Sequence, residues 1–214
     1  MKKILTTMIA AMITVVAIAQ TPDDGTLKFL GIPVDGAKLE MIQQLQRKGF
    51  KYDRTQDVLM GRFNGKESNI RVSENYGKVD RVFVADAETV DEAQIIINYN
   101  NLLGQFKRNE KYVEMEENKP IPSNEDVSFE MSVHNKTYDA VFYLKPQWTD
   151  EETDAMAQKA AQIEDEDERA QFLIKEAINK ISGVVWFRIA EYYGEYYICI
   201  FYDNMRNRPN GEDL

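Results

Sequence analysis

Apolar and polar positions repeat along this chain with a period of two in several short runs and with a period near 3.6 in three longer ones. The densest period-two pattern lies near the C-terminus, in Val184 to Ile189 and Tyr196 to Tyr202, with Tyr193-Gly194 between them. Both runs are rich in β-branched and aromatic residues and have strand length, and the glycine turns freely, so they read as a hairpin. In the second run Tyr196, Ile198, Ile200 and Tyr202 point one way, and Tyr197, Cys199 and Phe201 the other. Neither set is polar, which places the strand inside a sheet, with the rest of the chain wrapped around it.

An earlier group of strands is predicted at Val58 to Phe63, Ser68 to Ser73 and Val79 to Ala85. Asn64-Gly65 is the strongest two-residue hairpin signal between the first two, and Asn75-Tyr76-Gly77 turns the chain into the third. Ile70 and Val72 share a face, as do Val82 and Val84, with Asn69, Arg71, Arg81 and Phe83 opposite, the one-sided pattern of an antiparallel meander. A second hairpin is expected from Val127, Phe129, Met131 and Val133, which alternate with Ser128, Glu130, Ser132 and His134, through Asn135-Lys136 into Thr137 to Leu144.

The helical stretches come with start and stop signals. Asp35 is the expected cap of a helix that buries Met41, Ile42 and Leu45, stops at Gly49 and is followed by Phe50. Thr89 and Glu92 have capping-box spacing ahead of Ala93, Ile96, Ile97 and Leu103, in a helix that runs to about Lys107; Thr149 and Glu152 open a third helical region that reaches Ile181. Asp150 to Glu168 holds nine acidic residues against one lysine, and its like charges predict a break near Glu164 to Asp167. The fold class is therefore α+β, antiparallel sheet packed against about three helices, in the order α-βββ-α-ββ-α-ββ.

Domain organisation follows from composition. Residues 1–19 read as a signal peptide: Lys2 and Lys3 ahead of an apolar stretch, Ile4 to Ile18, that ends in Ala17-Ile18-Ala19, a small-x-small cleavage site. The stretch is shorter and less apolar than the roughly 20 residues of a comfortable membrane span. Gln20 would begin the mature chain, with no cysteine there for a lipid anchor. Residues 20–113 form an α-βββ-α half, 114–126 an acidic linker with Pro120 and Pro122, 127–205 a ββ-α-ββ half, and 206–214 a tail expected to be disordered.

Phe29-Leu-Gly-Ile-Pro-Val-Asp-Gly36, ahead of a helix ending Lys48-Gly-Phe50, together with Asn100-Asn-Leu-Leu-Gly-Gln-Phe106, resembles uncharacterised exported proteins of anaerobic Gram-negative bacteria. The resemblance covers a small share of the chain, rests on structural motifs and implies no activity.

The formal charge of −10 argues against nucleic acid and anionic membrane surfaces as partners. Cys199 is the only cysteine, so no disulfide forms within the chain, and its strand position makes it a small apolar side chain rather than a reactive thiol. His134 is the only histidine, which excludes a His-rich catalytic zinc site; it reads as a solvated residue, not as the partner of Cys199 in a dyad. No nucleophile elbow, phosphate loop or dinucleotide fingerprint is present, and Glu164-Asp-Glu-Asp-Glu168 lacks the spacing of a calcium loop. No metal or cofactor is expected.

Two functional classes remain. The first is an exported, non-catalytic binding module, periplasmic or extracellular, with a protein partner ahead of a glycan, for which Trp186, Tyr192 and Tyr193 are the candidate contact residues. The second is a small hydrolase with paired carboxylates, a chemistry that needs two acids in one pocket. Beside these two stands a third, plainer possibility, a structural or envelope-maintenance protein with no small ligand.

Overall fold

The computed structural model describes residues 25–208. The expected signal peptide and residues 209–214 of the expected tail lie outside the described residues. The described chain divides into two compact units, one holding Lys145–Ser182 and the other Thr26–Leu144 with the segment from Gly183 onward.

The larger unit is built on an antiparallel eight-stranded sheet in the order β3-β4-β5-β6-β10-β9-β8-β7. Its strands are β3 (Lys51–Asp53), β4 (Val58–Phe63), β5 (Lys66–Asn75), β6 (Lys78–Asp86), β7 (Tyr112–Val113), β8 (Asp139–Leu144), β9 (Gly183–Tyr192) and β10 (Glu195–Asn204). A small sheet of β1 (Lys28–Phe29) and β2 (Ile32–Pro33) precedes them. The helices of this unit are α1 (Lys38–Arg47), α2 (Glu92–Lys107) and α3 (Val127–Val133). The strand order falls into two halves that run alike, β3-β4-β5-β6 and β7-β8-β9-β10, each led by a helix (α1 or α2) and joined where β6 pairs with β10. Each half closes on a hairpin with the same turn, Tyr76-Gly77 and Tyr193-Gly194, with φ of 47° and 75° in one and 52° and 80° in the other. Positive φ at both central residues is the type I′ geometry that matches strand twist.

The apolar face of this sheet is where the core sits. Leu59, Ile70, Val72, Val82, Val84, Ile198, Ile200, Val185, Phe187 and Phe142 are buried together with Met41, Ile42 and Leu45 of α1 and Ile95, Tyr99, Leu102 and Phe106 of α2. Phe187 lies at its centre, with Phe106 at 5.6 Å and Tyr99 at 5.2 Å between ring centroids. The Tyr99 hydroxyl donates to the Asp139 carbonyl at 2.9 Å, so its polar end is satisfied and its ring buried. Gly61 lets this core close: a Cβ there would stand 2.7 Å from the Phe50 ring.

The terminal hairpin, the meander and the helix ending at Lys107 lie where the pattern puts them, and β10 is interior, between β6 and β9. Other expectations need correction. There are five helices among the described residues rather than about three, and the element order differs. Val127–Val133 is a helix, not a strand: Asp126 caps it by accepting from the Phe129 N–H at 2.8 Å, and Val127 and Met131, four residues apart, turn toward the core. Asn135 (φ 52°) then ends that helix instead of turning a hairpin. Ala37, not Asp35, is the N-cap residue of α1; the Asp35 carboxylate accepts from the Gly36 N–H and from Asn207. Asp91, not Thr89, caps α2. Segment 114–126 is tied to the sheet by the Asn118 amide, which exchanges two 2.9 Å bonds with the backbone of Val141, and to α2 by Asn100, which exchanges two of 2.8 Å with Ile121. Asn207 is held too, its amide donating to Asp35 and to the Val79 carbonyl, each at 2.8 Å.

In the smaller unit, α4 (Asp150–Ala161) and α5 (Glu166–Lys180) are separate helices. The break falls at the acidic cluster as expected, with Asp165 capping α5 and the Arg169 guanidinium donating to the Ile163 carbonyl at 2.6 and 3.0 Å. The Thr149/Glu152 capping box is formed, and Glu152 also pairs with Lys180, which lowers the Glu152 pKa and sets the ammonium over the Trp148 ring.

Candidate functional site

The sheet of the larger unit has a second face, on which neither α1 nor α2 packs. Strand register puts Arg71, Phe83, Phe201, Trp186 and Val141 in one cross-strand row of this face. The Trp186 and Phe201 rings stack with centroids 3.8 Å apart and planes 6° from parallel, and Phe83 follows at 5.0 Å. Arg81 lies over Phe201 at 5.3 Å and Arg188 over Trp186 at 5.5 Å. Each such pair adds of order 1 kcal/mol beyond area burial.

Asp203 fixes the row. Its carboxylate is wholly buried and accepts from Arg81 Nε at 2.5 Å and Nη2 at 3.0 Å, from the Trp186 indole N–H at 2.9 Å and from Arg208 Nη2 at 2.7 Å. In return the carboxylate holds the Arg81 guanidinium above its ordinary pKa. Asp139 does the same for Arg188 through bonds of 2.8 and 3.3 Å. Arg71 is exposed and forms no ion pair among the described residues. The indole is thus held by its N–H and by the Phe201 and Arg188 side chains over its ring, which together fix its rotamer.

The structure separates the candidate contact residues. Tyr192 and Tyr193 sit together at the β9–β10 turn, 4.6 Å apart edge to face, 61% and 89% exposed. Trp186 lies about 20 Å back along β9 at 3.4 Å per residue, beside Phe201 rather than beside the tyrosines. Further along the hairpin, Tyr196 is buried and Tyr197 half-buried. Phe83, Phe201, Arg81 and Asp203 are additional members of the site. Alternation alone places Phe83 and Phe201 off the core face, but only the β6–β10 pairing makes them neighbours.

For reaction chemistry this face offers little. Asp203 has four donors on it and is occupied as a positioning group rather than free as a base. Cys199 is buried, and burial, reinforced by the charge of Asp86, pushes its thiol up to about 11, so the reactive thiolate is disfavoured. His134 is at the end of α3, bonded to Glu130 at 3.1 Å and edge-on to Phe129. A cleft of about 170 Å³ between α2 and the β4–β5 turn holds one carboxylate, Asp86, already paired with Lys66 at 2.8 Å. Among the described residues no group of three His, Cys, Asp or Glu side chains is placed to hold a metal, and no helix is long and apolar enough to cross a membrane.

The fold and this face define an antiparallel α+β protein whose larger unit carries α1 and α2 on one side of its sheet and a fixed aromatic and arginine surface on the other. No protein-family model matches the chain, and neither a curated protein nor a solved structure does.

Proposed function

We propose that this chain is an exported, non-catalytic binding module that docks a protein partner on the sheet face around Trp186, Phe201, Phe83 and Arg71. The observation that carries the reading is the stacked Trp186–Phe201–Phe83 row, locked by Asp203 on a face against which neither α1 nor α2 packs. The buried Asp203 carboxylate carries a desolvation cost that a solvated sheet face has no need of. Aromatic and arginine side chains dominate binding hot spots, and a preset rotamer lowers the entropy lost on association. A protein fits better than a glycan here. Trp186 and Phe201 stack face to face, so they offer ring edges to a partner and leave no flat platform for a sugar. The hydrolase alternative needs a carboxylate pair in a cleft, and Asp86 stands without a second acid in its own.

The test uses the purified chain and its Trp186→Ala variant as parallel baits on an extracytoplasmic extract. A protein held by the first and lost from the second, which then binds the purified chain directly, supports the reading. Equal retention on both baits, or turnover in a glycosidase and peptidase screen, overturns it.

A further inference from the structure

The cleft between α2 and the β4–β5 turn lies on the helical side of the sheet, apart from the docking face. Its floor is apolar, made by Phe63, Leu102, Ile198 and Ile200. Its rim is an amide stripe: Asn98, Asn101 and Gln105 sit on one face of α2, together with the buried Leu102, and Asn64 donates to Gln105 from across the cleft at 2.9 Å. Lys66 and Asp86 complete the rim as a 2.8 Å ion pair.

Asparagine is a poor residue for a helix interior, because its amide competes for backbone bonds. In α2 Asn100 is explained by its two bonds to Ile121, and Asn98 accepts from Gln94 at 3.0 Å. Asn101 is exposed at the cleft, and its side-chain amide makes no hydrogen bond among the described residues. Nothing in the packing of the helix calls for an amide there.

We propose that this cleft binds a single neutral sugar ring, an aldohexose or a pyranose residue. The chemistry fits on three counts. Lys66 and Asp86 neutralise each other, so an ionic ligand would have to break their pair, whereas neutral hydroxyls join it as donors and acceptors. Side-chain amides present one donor group and one acceptor in a plane, the pairing that two adjacent hydroxyls require. The apolar floor receives the C–H face of the ring, and the cleft lies below the roughly 300 Å³ at which drug-sized pockets begin.

Saturation-transfer NMR on the purified chain with a panel of neutral hexoses tests this, with glycine, glutamate and methyl phosphate as ionic probes. At least one hexose should show saturable transfer, with a Kd on the order of 1 mM for a ligand this small. Asn101→Leu, at an exposed position that leaves the fold intact, should weaken it about tenfold, one net hydrogen bond and its geometry. Trp186→Ala should leave it unchanged. Absence of transfer from every hexose, binding of the ionic probes alone, or an unaltered Kd in Asn101→Leu overturns the proposal. Because Trp186 plays no part, failure here is separable from failure of the docking reading.

Discussion

Trp186 and Phe187 are neighbours in sequence and face opposite sides of the same sheet. Phe187 is wholly buried among Tyr99, Phe106 and Phe142 in an aliphatic and aromatic core; Trp186 stands half-buried against Phe201 and Arg188, the arginine tied to Asp139. One face is organised by burial of apolar surface, which is non-directional and tolerant of partners. The other is organised by directed bonds to Asp203 and Asp139, which fix positions at a cost in desolvation. A face that only needed to be wet would not carry the second arrangement. The contrast separates what holds the fold from what the fold presents.

The contrast breaks most sharply by substitution on the two sides. Phe187→Ala should cost about 3–5 kcal/mol in denaturant unfolding, the range for deleting a buried ring. Trp186→Ala, one residue away, should cost no more than about 1–2 kcal/mol, because its ring is half-exposed and leaves no closed cavity. Equal costs would mean that the second face is core as well.

Asp203→Ala comes next. It leaves Arg81, Arg208 and the indole N–H without their acceptor, and about 2 kcal/mol is expected, below the value for a fully buried pair because both guanidinium groups keep contact with water. The fluorescence anisotropy of Trp186, read in a variant lacking Trp148, should fall as the ring is released. An unchanged anisotropy would show that stacking, not the carboxylate, sets the rotamer.

The pH response sharpens the comparison from a third direction. Burial raises the Cys199 thiol to about 11 in the folded chain, against about 8.5 when unfolded. Between those values the folded state holds the proton and the unfolded state has lost it, so stability contributed by the neutral thiol is present below about 8.5 and falls as pH rises toward 11. Urea unfolding from pH 8 to 10.5 should show a steeper decline for the parent chain than for Cys199→Ala, and native Cys199 should resist alkylation until the chain unfolds. Parallel profiles would place the thiol in water.

The smallest effect is at the hairpin tip. Tyr193 holds φ 52°, a conformation that asparagine adopts more readily than a tyrosine, so Tyr193→Asn should gain about 0.5–1 kcal/mol. A loss instead would show that the exposed ring makes a stabilising contact with Tyr192.

Much of this was legible in the residues, and the exceptions have physical causes. Alternation identified the terminal hairpin and the meander because each buries one dense apolar set, and the acidic run broke its helix because like charges cannot share consecutive turns. Val127–Val133 misled because V-S-F-E-M-S-V alternates by coincidence; its helical state depends on the Asp126 cap and on one i, i+4 pair reaching the core. The caps of α1 and α2 lie two residues beyond the expected ones because Asp35 and Thr89 are claimed by distant partners, Asn207 and Glu195. At the candidate site, Trp186 could be singled out by type and Phe83 and Phe201 by their face. Asp203 could not, since its role arises from a pairing between segments more than a hundred residues apart.

The claim that the second sheet face is the docking surface is tested most directly by site-specific photocrosslinking in the producing cell. A benzophenone side chain placed at Arg71, in the aromatic row, is compared with one at Leu39, exposed on α1. The account predicts a discrete protein adduct from position 71 that disappears in the Trp186→Ala background, and none from position 39. Adducts from position 39 alone, or an adduct at 71 indifferent to Trp186, would contradict it.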